Sequence, residues 1–244
     1  MRLFLILLLW LMPLMARAET VVIFAAASLK SALDEIVATR ADDGVDVTVA
    51  YSGSSTAARQ VDLGAPADIV FLANSDWMGW LADRGALRQG SRVDLLGNRL
   101  VIAGAGQAAF SELADLPARL GSDFLAMAFT DAVPAGIYGK AALTSAGVWD
   151  AVAGRVAQTD NVRAALALVA RGEARFGVVY ETDLLVEPRV HAAWRIDPSR
   201  HPAIRYPVAL TASARPDAAA VFEDLLSPRA ASIFTRFGFT VLER

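Results

Sequence analysis

Five corners of the chain place hydrogen-bond donors where an apolar run gives way to a helical pattern. Ser28 follows the run 21–26, and Ser54 stands in Ser52-Gly53-Ser54-Ser55-Thr56 after the run 45–51. Further along, Val133-Pro134-Ala135-Gly136 follows the run 124–129, Thr159-Asp160-Asn161-Val162 opens another helical stretch, and Tyr180 ends the run 176–180. The first N–H groups of a helix have no intrahelical partner, and the helix start carries roughly half a positive charge. Several such starts facing one crevice bind an anion without Lys or Arg. Ser and Tyr hydroxyls add donors that rotate toward its oxygens. Taken singly, Ser28, Ser54 and Asp160 each read as an N-cap, and Pro134 as a first-turn proline. From topology alone, the cap reading and the anion-site reading both stand.

Other chemistries find less support. A serine hydrolase built on Ser54 or Ser28 needs a general base within reach, and the neighbouring sequence offers none. The G-x-S-x-G elbow is absent, Ser54 being flanked by Gly53 and Ser55. His191 and His201, the only histidines, lack the close spacing of helical metal sites and read as surface residues. Gly104-Ala105-Gly106-Gln107-Ala108-Ala109 spells a dinucleotide fingerprint, but Pro117 interrupts the helix that such a turn must open, so it reads as a loop. Trp77 and Trp80 share one helical face and read as core packing. With no Cys in the chain, disulfides, thiolate metal sites and Cys nucleophiles are excluded.

The elements that must hold these corners alternate. Strands are predicted over 21–26, 45–51, 68–73, 99–103, 124–129, 176–180 and 206–210, with 206–210 the last. Helices are predicted over 29–39, 56–63, 75–83, 137–146, 162–170, 217–226 and 228–237. This alternation implies an α/β fold with parallel sheets built from βαβ units, whose strand carboxyl ends converge on a ligand crevice. No repeat, low-complexity tract or polar linker marks a domain boundary, so any boundary lies within ordered chain. Crossings near 97–99 and 205–207 would give lobe 1 from 19–97 plus 207–244 and lobe 2 from 98–206, with a cleft between them.

Arg2, the uncharged run 3–15 and Ala16-Arg17-Ala18 before Glu19 form the pattern of a cleavable signal peptide over residues 1–18. As a helix the run spans about 20 Å, short of a ~30 Å hydrocarbon core. No Cys follows it for lipid attachment. The remainder is long enough for a sizeable core in one or two domains. It loses two Arg and so is more acidic than the formal −3 of the full chain. No second apolar run is long enough to cross a bilayer, and a soluble exported protein is expected. The acidic balance and absence of basic clusters argue against nucleic acid.

At these corners the chain resembles the periplasmic molybdate-binding proteins of bacterial ABC importers. The similarity is carried by Phe24-Ala25-Ala26-Ala27-Ser28-Leu29, Ser54-Ser55-Thr56-Ala57-Ala58-Arg59-Gln60, Gly64-Ala65-Pro66-Ala67-Asp68 and Leu96-Gly97-Asn98. It continues through Val133-Pro134-Ala135-Gly136-Ile137-Tyr138, Asp160-Asn161-Val162-Arg163, Phe176-Gly177-Val178-Val179-Tyr180 and Arg236-Phe237-Gly238-Phe239.

The resemblance implies a two-lobed type II periplasmic binding protein fold that closes by hinge motion. It implies an oxyanion held by Ser28, Ser54, Ala135, Val162 and Tyr180, with Ser55 the alternative to Ser54. It also implies no catalysis, no cofactor and no cation site beyond the bound molybdate or tungstate. The partner would be an ABC transporter permease, the location the periplasm, and the state a monomer. Molybdate, tungstate and sulfate are acceptor-only dianions at neutral pH, whereas hydrogen phosphate brings a proton that asks for a carboxylate. A donor-only site therefore disfavours phosphate and leaves sulfate as the alternative ligand. A sensory domain on the same fold is a further reading, weakened by the absence of a helix-turn-helix or membrane segment.

Overall fold

Long apolar runs divide the chain between two sheets. The computed structural model describes residues 20–40, 44–106 and 110–243. The expected signal segment, and residues 107–109 of the Gly-rich stretch, lie outside them. The first sheet contains β1 (Val21–Ala26), β2 (Val47–Ser52), β3 (Ile69–Phe71), β4 (Val93–Gly97), β10 (Arg205–Leu210) and β11 (Thr240–Val241), in the order β11-β4-β10-β3-β1-β2. The second contains β5 (Leu100–Ala105), β6 (Leu125–Ala128), β7 (Val156–Thr159), β8 (Phe176–Tyr180) and β9 (Val190–Arg195), in the order β7-β6-β8-β5-β9.

The alternating pattern predicts parallel sheets; both sheets are mixed. β1 runs parallel to β2 and β3, and β6 parallel to β7 and β8. β10 is antiparallel to β3 and β4, β11 to β4, and β5 to β8 and β9. The reason lies in the connections. A helical crossover forces parallel pairing only between the strands it joins, whereas β5 and β10 arrive directly from the other sheet. Asn98 and Arg99 alone separate β4 from β5, and residues 196–204 separate β9 from β10.

Helices α1 (Lys30–Ala38), α2 (Ser54–Asp62), α3 (Ser75–Asp83), α9 (Ala218–Leu225) and α10 (Pro228–Arg236) accompany the first sheet in sequence. Helices α4 (Leu116–Leu120), α5 (Pro134–Ser145), α6 (Trp149–Val152), α7 (Val162–Ala170) and α8 (Glu181–Leu184) accompany the second. Both α5 and α7 pack against β6 and β8. β6 and β8 are buried along their whole length, which is why they read as continuous apolar runs. Among the described residues, no helix is long and apolar enough to cross a membrane.

Four strands escape the sequence pattern: β4, β7, β9 and β11. β7, β9 and β11 are edge strands, and an edge strand buries too little to need an unbroken apolar run. β4 lies beside the two-residue β11 and carries the exposed Asp94.

Candidate functional site

The carboxyl ends of the parallel strands meet where the two sheets face each other. β1 passes into a tight 3-10 turn, Ala27–Leu29, and β2 passes through Gly53 into α2. In the other half, β6 leads through Val133 into α5, β7 leads through Asp160 and Asn161 into α7, and β8 ends in Tyr180. These corners surround one cavity of about 10 Å³, on the order of a single water-sized sphere. Ser28, Ser52, Gly53, Ser54 and Ala73 line it from the first half; Val133, Pro134, Ala135, Asn161, Val162 and Tyr180 line it from the second. All five residues expected to hold a ligand are therefore brought together. Ser55 is buried but is not among the lining residues.

The serines are not helix caps. Ser54 is the first residue of α2, and its Oγ accepts the backbone N–H of Ala73 at 2.9 Å. Ser28 Oγ lies 3.0 Å from Tyr206 Oη in a buried contact. Asp160 is not the cap of α7 either: Asn161 is, its Oδ1 accepting the Ala164 N–H at 3.0 Å. Asp160 falls one residue too early for that geometry, and its carboxylate instead accepts from Asn161 Nδ2 at 3.0 Å.

Each helix start keeps donors for a guest. Gly53 and Val133, at the cap positions of α2 and α5, make no side-chain cap, which forgoes about 1 kcal/mol of helix stability at Val133 and only about a few tenths at Gly53. Pro134 has no N–H, so Ala135 carries the first donor of α5. At α7 the Asn161 cap engages the third N–H of the helix, and Val162 carries the first. Gly136 keeps this corner tight, since a Cβ there would collide with the carbonyls of Ala128 and Phe129.

Tyr180 is 1% exposed, and its hydroxyl has no hydrogen-bond partner among the described residues. A buried hydroxyl left unsatisfied costs about 1–3 kcal/mol, which a ligand oxygen in the cavity would recover. Burial, reinforced by the neighbouring Tyr206, pushes the Tyr180 phenol well above its ordinary range, so it stays a donor.

No charged side chain lines the cavity. The nearby Asp183 is wholly buried and fully engaged: Oδ1 accepts from Arg163 Nε at 2.6 Å, and Oδ2 accepts the Tyr180 N–H at 3.0 Å. Burial raises its pKa, against the pull of Arg163 and the Tyr180 N–H. The same guanidinium donates through Nη2 to the Ser28 carbonyl at 3.1 Å. It thereby ties α7 to the serine turn of the opposite half. No local pattern in the sequence marks this role of Arg163, or Asp183, which sits three residues beyond Tyr180.

Two further cross-cavity features were also missed. Trp77 does pack edge-on against Trp80, with centroids 5.4 Å apart, but core packing is only part of its role. The side chain is half-buried, and its indole N–H donates to the Ala132 carbonyl of the other half at 2.8 Å. Gly53 has extended backbone that any residue adopts, yet a Cβ there would lie 2.5 Å from the Asp160 carbonyl oxygen and 3.2 Å from Val133 Cγ2.

Of the two histidines, His191 is exposed as expected, whereas His201 is buried and its Nδ1 lies 2.8 Å from the Pro202 carbonyl. The Tyr138 ring packs near it, centroid to centroid 6.0 Å. Neither histidine lines the cavity, and no group of three or more His, Asp or Glu among the described residues is placed to hold a cation.

The chain matches the family of bacterial extracellular solute-binding proteins over residues 21–240. It is 37% identical over 229 residues to the molybdate-binding protein ModA of Escherichia coli, with 91% of this chain and 89% of that protein covered. The periplasmic molybdate-binding protein of Azotobacter vinelandii has the same fold, with a TM-score of 0.81 at 21% identity, covering 91% of this chain and 100% of that one. So does the sulfate-binding protein SubI of Mycobacterium tuberculosis, with a TM-score of 0.77 at 16% identity, covering 92% and 87%. With two facing α/β lobes and one donor-lined cavity between them, the chain belongs to the bacterial extracellular solute-binding proteins.

Proposed function

We propose that this protein captures molybdate in the cavity between its sheets and delivers it to the membrane permease of an ABC importer. Tungstate, of nearly the same size and charge, is the equivalent ligand. The protein acts in the periplasm as a monomer after loss of residues 1–18. Its lobes are 19–97 with 207–244, and 98–206. This division is supported by a first sheet drawn from 21–97 and 205–241 and a second drawn from 100–195. Ser28 and Ser54 bind through their hydroxyls and backbone amides, Ala135 and Val162 through backbone amides, and Tyr180 through its hydroxyl. The identity to ModA of Escherichia coli supports molybdate as the ligand.

One observation carries the reading. A buried tyrosine hydroxyl without a partner borders a cavity lined by hydroxyls and uncapped helix starts, with no carboxylate and no cation. Such a site suits an acceptor-only dianion. No catalytic role is assigned, because Ser54 Oγ already accepts an amide N–H and neither histidine lines the cavity. Sulfate is the second reading, since the same donors serve it and a sulfate-binding protein shares the fold.

Calorimetric titration with molybdate, tungstate, sulfate and phosphate tests the proposal. One-to-one binding of molybdate and tungstate is expected, with sulfate weaker and phosphate weakest. Absence of binding by either metal oxyanion would overturn it. Sulfate binding tighter than molybdate would establish the second reading.

A further inference from the structure

The relationship between Ser28 and Tyr206 has a direction, and the surrounding atoms set it. Asn98 Oδ1 accepts the backbone N–H of Arg99 at 2.8 Å, which fixes which way its amide points. Its Nδ2 therefore faces, and donates to, Thr182 Oγ1 at 2.9 Å and Tyr206 Oη at 3.2 Å. Tyr206 is wholly buried. A phenol has one hydrogen; with Asn98 donating to its oxygen, that hydrogen is left for Ser28 Oγ at 3.0 Å. Ser28 then accepts from behind, and its own hydrogen turns into the cavity. Ser54 is held in the same sense by the Ala73 N–H, which can only donate.

We propose that Tyr206, oriented by Asn98, is a positioning residue that fixes the Ser28 hydroxyl as a donor to the ligand and so disfavours oxyanions that carry a proton. The inference rests on the oxyanion-binding reading above. Its consequence is selective. A fully deprotonated dianion meets hydroxyl hydrogens from both halves. A monoprotonated anion brings a hydrogen to serines whose oxygens already accept one bond and whose hydrogens already point inward. The anchor points also matter: Asn98 lies in the first crossing between the sheets, and Tyr206 lies in the strand that follows the second. The orientation of Ser28 thus depends on both crossings being in place.

The competing role for Tyr206 is packing, since its ring lies edge-on to Tyr180 and Phe239 with centroids 5.8 and 5.4 Å away. Tyr206→Phe keeps the ring and removes only the hydroxyl, so it separates the two. Molybdate and phosphate affinities are measured calorimetrically for wild type, Tyr206→Phe, Ser28→Ala and the double variant, with Asn98→Ala as a second probe and thermal unfolding as the check on folding. Tyr206→Phe should weaken molybdate binding about tenfold, as expected for losing a bond that supports a charged contact, and should narrow the molybdate-to-phosphate ratio. In the Ser28→Ala background the same change should cost less than about twofold, because contacting residues are not additive. Asn98→Ala should move both readouts in the same direction by less. An equal loss from Tyr206→Phe in both backgrounds, or an unchanged phosphate ratio, overturns the relay while leaving the binding function intact. Failure of the wild type to bind molybdate overturns both.

Discussion

The indole N–H of Trp77, on α3, donates to the carbonyl of Ala132, just ahead of α5, at 2.8 Å. These residues belong to opposite halves, so a hydrogen bond outside the ligand cavity exists only while the halves are together. Trp77 also lies beneath the Arg59 guanidinium, 5.4 Å from its ring centroid. Closure should therefore change the environment of this tryptophan. Titration of wild type with molybdate should change Trp fluorescence, and Trp77→Phe should abolish most of the change and weaken binding by about 1 kcal/mol. A full-sized response in Trp77→Phe would place the reporter elsewhere.

Gly53 is required by distance and not by conformation. Its φ of −63° and ψ of 141° are open to any residue, but a Cβ would press on the Asp160 carbonyl of the facing half. Gly53→Ala should cost the unliganded protein no more than about 1 kcal/mol of stability, the usual loss from placing Ala at a helix cap. It should weaken oxyanion binding by about 1–3 kcal/mol, the usual cost of overpacking. Paired thermal unfolding and calorimetry check this. Equal losses in stability and affinity would show that the glycine serves its own lobe.

The tyrosines around the cavity titrate high. Burial raises both Tyr180 and Tyr206, and in Tyr206 it outweighs the opposing effect of the contacts with Ser28 and Asn98. A raised phenol pKa keeps the proton, and hence the donor, as pH passes the usual value of about 10. Molybdate affinity should be flat from about pH 7 to about pH 10 at constant ionic strength, on the ordinary tyrosine scale. A decline centred near the free phenol value would mean that these hydroxyls ionise normally.

Asp68 joins the start of β3 to two distant segments. Its Oδ2 accepts the Val22 N–H at 2.8 Å and also Arg215 Nη2; its Oδ1 accepts the Arg215 N–H at 2.9 Å and Nε at 3.0 Å. Burial alone would raise this carboxyl, but the hydrogen bonds from Arg215 and Val22 outweigh it and the pKa is lowered. A lowered carboxyl stabilises the fold above its unfolded pKa, and the contribution is lost as pH falls through the folded value. Asp68→Asn should therefore destabilise the protein by about 1.5–3 kcal/mol near neutral pH, with the gap closing below about pH 4. Denaturant unfolding at both pH values checks it. A gap that persists in acid would point to geometry in place of charge.

Legibility in the sequence tracked how local the physical cause was. β1, α3, α7 and β8 fall where their apolar runs and periodicity put them. Helix α2 begins at Ser54, two residues ahead of the expected start, because Gly53 supplies no capping side chain to announce it. The donor-bearing strand ends were legible, since each corner is written in a few consecutive residues. Tyr206 was not: its hydroxyl meets Ser28 across 178 residues of sequence. Trp77 and Gly53 were hidden for the same reason. Their significance lies in what the opposite half brings near them, and no local pattern encodes that.

The most direct measurement is a crystal structure with molybdate bound, located by the anomalous signal of molybdenum. The expected result is one peak between the sheets, its oxygens about 2.7–3.1 Å from the hydroxyls of Ser28, Ser54 and Tyr180 and the amides of Ala135 and Val162, within ordinary hydrogen-bond lengths. A peak outside that cavity, or one approached by a carboxylate such as Asp183, would contradict the account.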